Sequence, residues 1–302
     1  MSTADVVARP DWRERWSGRL RPRGLLPFLL LTPSGLVLLL FAASLVLLLT
    51  YSFRPYTSIV IEPVWTFDTW AHFLSSRFYW SIVWETIRLA LIVTAVTTLL
   101  AYPTAWVLVQ LQSRALSVVC YIVLFSPLLV SVVVRSYGWL LLLGDHGFVN
   151  ALLVRLPWVH APVRLVFNFT GVTIALIHIL LPFAIFPLLS VLRQLPPNVR
   201  EAAADLGAPP WQVFLRVTLP LTLPGVVSGA QIVFTLTVSA WVTTVLLGGG
   251  RVLVLAKLVY DNISNLNWPL GAVESFVLLV IALIALAVFG RLNRAIYAGR
   301  EA

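Results

Sequence analysis

The sequence predicts an all-α membrane protein: a bundle of six bilayer-crossing helices with both termini in the cytoplasm. Three observations carry that prediction. Of 302 residues, 60% are hydrophobic and 11% charged, and the mean hydropathy is +0.94. A soluble domain is about 45–50% apolar and about 25% charged, so a soluble chain of this size could not cover so much apolar surface. The apolar residues also gather into uncharged runs, each long enough for the roughly 20-residue helix that crosses a hydrocarbon core. Finally, the basic residues are unevenly shared between the two sides these crossings define. A conventional soluble enzyme and a disordered chain are excluded.

Residues 1–24 form an arginine-rich tail containing Arg9, Arg13, Arg15, Arg19, Arg21 and Arg23. Leu25–Phe53 is uncharged and longer than the apolar region of about 7–15 residues in a signal peptide, so 25–53 is expected to be a retained first helix. Residues 54–80 make an outer segment, in which Phe67–Trp80 is expected to lie along the interface as a short helix. The remaining core, 81–292, holds five more crossings. Four come from Leu89–Ser113, Ala115–Val134, Leu165–Leu192 and Val217–Gly250. The fifth comes from Ser275–Gly290, extended back to Trp268 across the single charge of Glu274. Val217–Gly250 is too short for two crossings and a turn. Its opening Leu219-Pro220 and Leu223-Pro224 put the start of the fifth helix near Pro224, since proline suits a first helical turn. Residues 293–302 are a short second tail.

Six crossings put thirteen cations on the side of the termini, adding Arg114, Arg193, Arg200, Arg216, Arg291, Arg294 and Arg300 to the tail. Eight lie opposite: Arg54, Arg77, Arg88, Arg135, Arg155, Arg164, Arg251 and Lys257. The acids divide evenly, and the positive-inside bias places the termini in the cytoplasm. In a soluble protein the net charge of +9 would suggest nucleic acid. Here it orients helices, and the expected partner is the lipid bilayer, with no nucleic acid.

Catalytic and metal chemistry find no anchor. Cys120 is the only cysteine, and His72, His146, His160 and His178 never fall at HExxH spacing. Lys257, the only lysine, is not part of a GxxxxGK[ST] phosphate loop, so the chain does not hydrolyse ATP by that route. No catalytic residue, metal ligand or bound cofactor is expected. Trp65, Trp70, Trp80, Trp84, Trp139, Trp158 and Trp268 crowd the outer side, where they read as an interfacial belt or as rings lining a vestibule for a cation.

The most informative stretch is the loop 193–220, RQLPPNVREAAADLGAPPWQVFLRVTLP. Pro196-Pro197 stops one helix. Asn198, with Glu201 three residues later, forms a capping-box pattern that starts another. Gly207 supplies a left-handed stop. Pro209-Pro210 opens a second short helix, Pro210–Val217, and Thr218-Leu219-Pro220 closes it. Two short helices beneath the membrane are expected. The small side chains of Ala202, Ala203 and Ala204 suit close approach, either to a partner or to the chain's own bundle.

Glu201-Ala202-Ala203, then three residues, Gly207, nine residues, Val217, one residue and Leu219-Pro220 resemble the EAA loop of bacterial ABC importer permeases. Val217 stands where that pattern usually has isoleucine. Other stretches look like the polyamine (spermidine/putrescine) permease subgroup. They are Ser126–Leu129, Arg135–Trp139, Gly147–Asn150, Leu181–Phe183, Asp205–Ala208, Leu246–Gly249 and Trp268–Ala272. Ferric-iron, sulfate, thiamine and aminoethylphosphonate permeases share parts of them. The resemblance implies a type I importer permease fold in the bacterial inner membrane. It implies two ATP-binding subunits that hold ATP and Mg, a second permease that is a different chain, and an extracytoplasmic solute-binding protein. Glu201, Ala202, Ala203, Asp205, Gly207, Leu219 and Pro220 would couple the chain to the ATPase, with Glu201 acting as a helix cap or as an ion-pair partner.

Candidate pathway residues follow from position. Glu274 lies inside the last crossing, where ionisable groups mark sites. Asp261 and Asp145 sit in outer loops with Tyr260, and acids with aromatics such as Trp241 suit a cationic cargo; both acids could instead dock the binding protein. Thr235, Ser239 and Thr243 recur every four residues and are expected to share a helix face. Gly225 and Gly229 read as packing contacts and Glu85–Arg88 as an ion pair. Pro182 and Pro187 free backbone carbonyls that either line the pathway or shape the helix. A secondary transporter is the rival class, but no internal repeat supports it.

Overall fold

The computed structural model describes residues 26–55 and 64–298. All regular structure among them is helical. The six tail arginines and Arg300 lie outside the described residues. Helix α1, Leu26–Ser52, contains the apolar span Thr32–Ser52 and is described here by itself.

The body beyond it begins with α2, Asp68–Ser75, and α3, Arg77–Gln110. Phe67–Trp80 is therefore not one interfacial helix. The backbone turns at Ser76, and Arg77 already belongs to the second crossing, which starts twelve residues before the uncharged run. Hydropathy hides this because the first turns of α3 carry Arg77, Glu85 and Arg88. Glu85 and Arg88 do pair, at 3.4 Å.

The third crossing departs most from expectation. It is not a straight helix over Ala115–Val134. Helix α4, Arg114–Phe125, passes through a 3₁₀ turn, Ser126–Leu129, breaks, and resumes as α5, Val132–Leu143. The two arms are bent by 107°. Pro127 cannot continue the α-helical hydrogen-bond ladder, and the chain turns there. The short α6, Phe148–Leu153, follows. The structure thus has five long apolar helices, or six crossings when the bent pair is taken as one.

Three helices make the core: α3, α7 (Phe169–Gln194) and α10 (Leu219–Val238). Leu89, Val93, Val172, Leu176, Ile185, Leu188 and Val233 fill their interface. Gly229 sets the approach of α10 to α7. A Cβ there would lie 2.8 Å from the Ala184 carbonyl oxygen, so only glycine lets the two backbones come this close. The packing role expected of Gly225 and Gly229 is what the structure has: a Cβ at Gly225 would meet the Pro187 carbonyl at 3.1 Å. Pro182 and Pro187 sit within α7 as expected.

Between α7 and α10 lie α8, Pro197–Asp205, and the one-turn α9, Pro210–Val213. Beyond α10 the chain breaks at 239–241. It continues as α11 (Val242–Gly248), α12 (Leu255–Ser264) and the last crossing α13 (Trp268–Ala298). Side chains on the outside of the bundle are largely apolar, including Leu99, Val123, Leu141, Leu283 and Ile284, as a lipid-facing surface requires.

Candidate functional site

Two regions hold most of the candidate functional residues, one at each end of α10. The first is the turn at Glu201–Gly207. Helix α8 starts at Pro197, so Asn198 lies inside its first turn and is not the cap. Proline is the better first helical residue because its missing N–H would be unpaired there anyway. The stop falls where the glycine predicts it. Gly207 has φ +81°, and the Ala208 N–H donates to the Ala203 carbonyl at 3.2 Å. That i→i−5 bond is the signature of a left-handed helix end. A Cβ at Gly207 would meet nothing within 4 Å, so the need for glycine comes from the backbone angle alone. Glu201, Ala202, Asp205 and Gly207 are exposed, and Ala203 is half-buried. Leu206, at 89% exposure, and Trp211 project apolar surface beside them.

The second short helix is not separate, and Thr218-Leu219-Pro220 does not end it. Helix α9 passes through a single π turn, Phe214–Thr218, straight into α10, giving one rod over Pro210–Val238. The fifth helix therefore starts at Pro210 rather than near Pro224. The π turn accounts for the tolerance of Pro220. A proline ring collides with the carbonyl four residues back and lacks an N–H to bond it; widening the preceding turn to an i→i−5 pattern, with the Leu219 N–H reaching the Phe214 carbonyl, relieves both. Leu219 and Pro220 are half-buried members of this rod. Phe214 packs edge-on against Tyr102 and Trp106 of α3 (centroids 5.6 and 5.7 Å). The Tyr102 hydroxyl lies 2.9 Å from the Thr222 hydroxyl. These contacts tie the rod to the core just above the turn. Nearby, Arg193 at the end of α7 donates to the Tyr121 hydroxyl of α4 and lies over its ring.

The second region lies at the far end of α10. Here the break at 239–241 faces the first turn of α5. A cavity of about 260 Å³ lies between them, lined by Val132 and Arg135 of α5, Leu180 and Phe183 of α7, and Leu236 to Thr243 of the second break. The Ser136 and Thr243 hydroxyls, both buried, lie 3.0 Å apart and join the two resumed helices. This overturns the expected face of Thr235, Ser239 and Thr243. The helix ends at Val238, so Thr243 belongs to α11 and turns inward, while Thr235 and Ser239 are exposed and bond back to their own helix. A four-residue period fails where the helix does.

Around the cavity the predicted aromatic and acidic residues sort themselves. Trp241 stacks on Tyr260 (centroids 4.1 Å, 13° between planes). Asp261 pairs with Lys257 one turn earlier on α12. Glu274 is fully buried in the second turn of α13, and both of its carboxylate oxygens accept from the Asn262 side-chain amide at 2.9 Å. It braces α12 against α13 and does not present itself to solute in this structure. Asp145 is exposed in the turn between α5 and α6, apart from these groups. Sequence reasoning missed Asn262, whose role only its tertiary partner reveals. It also missed Asn150, which holds the outer loop by bonding the carbonyls of Gly144 and Val163 and accepting the Val163 N–H. Arg135 was counted as an outer-loop cation. A charge eight residues after Pro127, inside an otherwise apolar stretch, was the available signal.

A bundle of long apolar helices, interrupted by one exposed helix and a glycine turn at one end of a continuous rod, defines an integral membrane permease. Residues 98–297 match the profile of the binding-protein-dependent transport system inner membrane component family, and the chain belongs to it. The spermidine/putrescine transport system permease protein PotB of Salmonella typhimurium (strain SL1344) is 31% identical over 260 residues, covering 86% of this chain and 90% of the relative. Its counterpart from Escherichia coli K12 is 30% identical over 260 residues, covering 86% and 94%. The fold is also that of a chain in a crystal structure of a bacterial ABC transporter importing the acidic polysaccharide alginate, with a TM-score of 0.73, 18% identity, and 89% and 95% coverage. The chain is thus a multi-pass inner-membrane permease subunit of an ABC importer, coupled to a partner ATPase; it does not itself hydrolyse ATP. The secondary-transporter alternative falls with the family.

Proposed function

We propose that this chain is one of two different permease subunits in a polyamine importer. The remaining subunits are two ATPases that bind ATP and Mg, and an extracytoplasmic protein that delivers the solute. The polyamine assignment is supported by the likeness to spermidine/putrescine permeases over nearly their whole length. Both termini lie in the cytoplasm on the positive-inside count, together with the turn at 193–220. The arginine-rich residues 1–24 and the tail 293–302 flank the core 81–292.

One observation carries the mechanism: α9, the π turn and α10 form a single rod from beside the Glu201–Gly207 turn to the break at 239–241. The small faces of Ala202 and Ala203, with Leu206 and Trp211 beside them, present a surface for a groove of the ATPase, and Glu201 and Asp205 offer charge to it. When ATP draws the two ATPases together, the turn follows. The rod transmits that displacement because a continuous helix resists bending. The motion is delivered where the chain is least regular, at the two breaks around the cavity. On the outer side, the stacked Trp241 and Tyr260 and the neighbouring Asp261 suit an arriving ammonium group, which favours aromatic faces and carboxylates.

The test is reconstitution of the purified complex with its binding protein. Polyamine uptake and binding-protein-stimulated ATP hydrolysis are expected together. Import of a different solute, such as ferric iron, sulfate, thiamine or aminoethylphosphonate, with polyamines inert would overturn the cargo assignment while leaving the coupling intact.

A further inference from the structure

Arg135 has no counter-charge among the described residues. Its Nε and Nη1 are buried and have no hydrogen-bond partner. Among the described residues the two ion pairs are Glu85–Arg88 and Lys257–Asp261, and neither includes it. The Arg135 side chain is only partly buried, but two of its nitrogens lack acceptors, and a charged group within a membrane span marks function more often than packing. Its place is specific. It sits one turn past the break at 130–131, in the wall of the cavity where the break at 239–241 also arrives. Non-helical backbone at membrane depth persists only where it is covered by protein or lines an aqueous space. One such stretch, 239–241, lines this cavity, and the first turn of α5, which follows the other, forms part of its wall. The first turn of α5 adds its own partial positive charge beside the guanidinium, because Val132, at that helix's start, lines the same cavity.

We propose that Arg135 is the charge barrier of the closed pathway: a fixed positive group facing the helix break at 239–241 that keeps inorganic cations from leaking through the resting permease. The inference rests on the importer reading and not on the identity of the cargo. A widening route for an organic solute is wide enough for potassium or hydronium ions whenever it fluctuates open. Arginine never loses its charge at physiological pH, so the barrier stands at all times in the closed state. A cation about 10 Å from that charge, at the effective dielectric of about 20 that suits a partly exposed group, is disfavoured roughly tenfold. Small anions are not opposed by this charge, and the apolar side chains of Leu180, Phe183 and Leu236 in the same wall stand against them. An organic cation crosses only when the breaks have moved and carried Arg135 away from the axis.

The assay uses the whole complex, without ATP or binding protein, in proteoliposomes, with potassium and chloride permeabilities read separately from valinomycin-free flux. Arg135→Gln is expected to raise potassium leak about tenfold, with chloride leak nearly unchanged. Arg135→Lys, which keeps the charge, is expected to stay tight. Equal increases in both ions would mean a general loss of packing and would overturn the proposal, as would an Arg135→Lys variant that leaks like Arg135→Gln. Inhibition of wild-type import by oxyanions that protect Arg135 from a guanidine-selective reagent would also overturn it, making the residue a binding group for anions. Co-purification with the ATPase shows that each variant assembles. Polyamine uptake, measured on the same vesicles with ATP and binding protein, reports separately on the cargo.

Discussion

The two ends of α10 are built in opposite ways. At one end the helix extends through a π turn into α9, is pinned to α3 by Phe214, Tyr102 and Thr222, and hands over to an exposed turn with apolar Leu206 and Trp211 on show. At the other end the helix stops at Val238, and the chain around it is broken into short helices held by side-chain pairs: Ser136 with Thr243, Asn262 with Glu274, Trp241 with Tyr260. On the proposed mechanism, the difference separates where a displacement would enter from where it would be absorbed. A continuous rod carries a push with little loss. Short helices joined by single side-chain hydrogen bonds, each worth about 1 kcal/mol, rearrange at modest cost.

The comparison breaks first if the rod does not need its seat on α7. Replacing Gly229 with leucine drives a side chain into the Ala184 backbone; a loss of about 3 kcal/mol or more, read as a large fall in the thermal stability of the solubilised complex, is expected. A variant as stable as the parent would mean that α10 does not sit where it is drawn. Next in size is Glu274→Ala, which removes the partner of the half-buried Asn262 amide and should cost about 1–3 kcal/mol. Its signature is lowered stability with an unchanged KM for uptake. A raised KM at full stability would move Glu274 from brace to solute contact.

Gly207→Val tests the opposite end. The cost in fold stability is about 1 kcal/mol, because the position is open and only its φ of +81° is disfavoured. The expected result is ATP hydrolysis that continues while uptake falls several-fold; tight coupling in this variant would remove the turn from the transmission path. Smaller still, Ser136→Ala removes the bond to Thr243 and should lower stability by about 1 kcal/mol while altering the rate of uptake, since it frees one break from the other. The least effect, about 0–1 kcal/mol, is expected from Lys257→Ala, whose partner Asp261 is partly exposed. A large effect there would mean that the pair acts on the cavity rather than on α12 alone.

Much of the molecule was legible before its folding was considered. Five crossings appear in the runs of apolar residues, and the stop at Gly207 appears in a glycine after a run of alanines. Each is a local signal, decided by a residue's own solvation or backbone freedom. The misreadings cluster at prolines. Pro127 broke a crossing that hydropathy showed as continuous, whereas Pro220 and Pro224 did not break or begin the helix they seemed to punctuate. In both cases what mattered was the turn before the proline, and the residues around it do not announce whether that turn widens or gives way.

By itself the sequence determined the class of protein, the presence of most membrane-crossing segments and the glycine turn at Gly207, because burial in lipid and the left-handed turn act residue by residue. Tertiary structure alone decided that α9 and α10 are one rod, that Glu274 faces Asn262, that Ser136 meets Thr243 across 107 positions, and that Arg135, with two nitrogens unpaired, shares a cavity with the break at 239–241. These depend on which distant side chains share a space, and that is settled only when α3, α7 and α10 pack together.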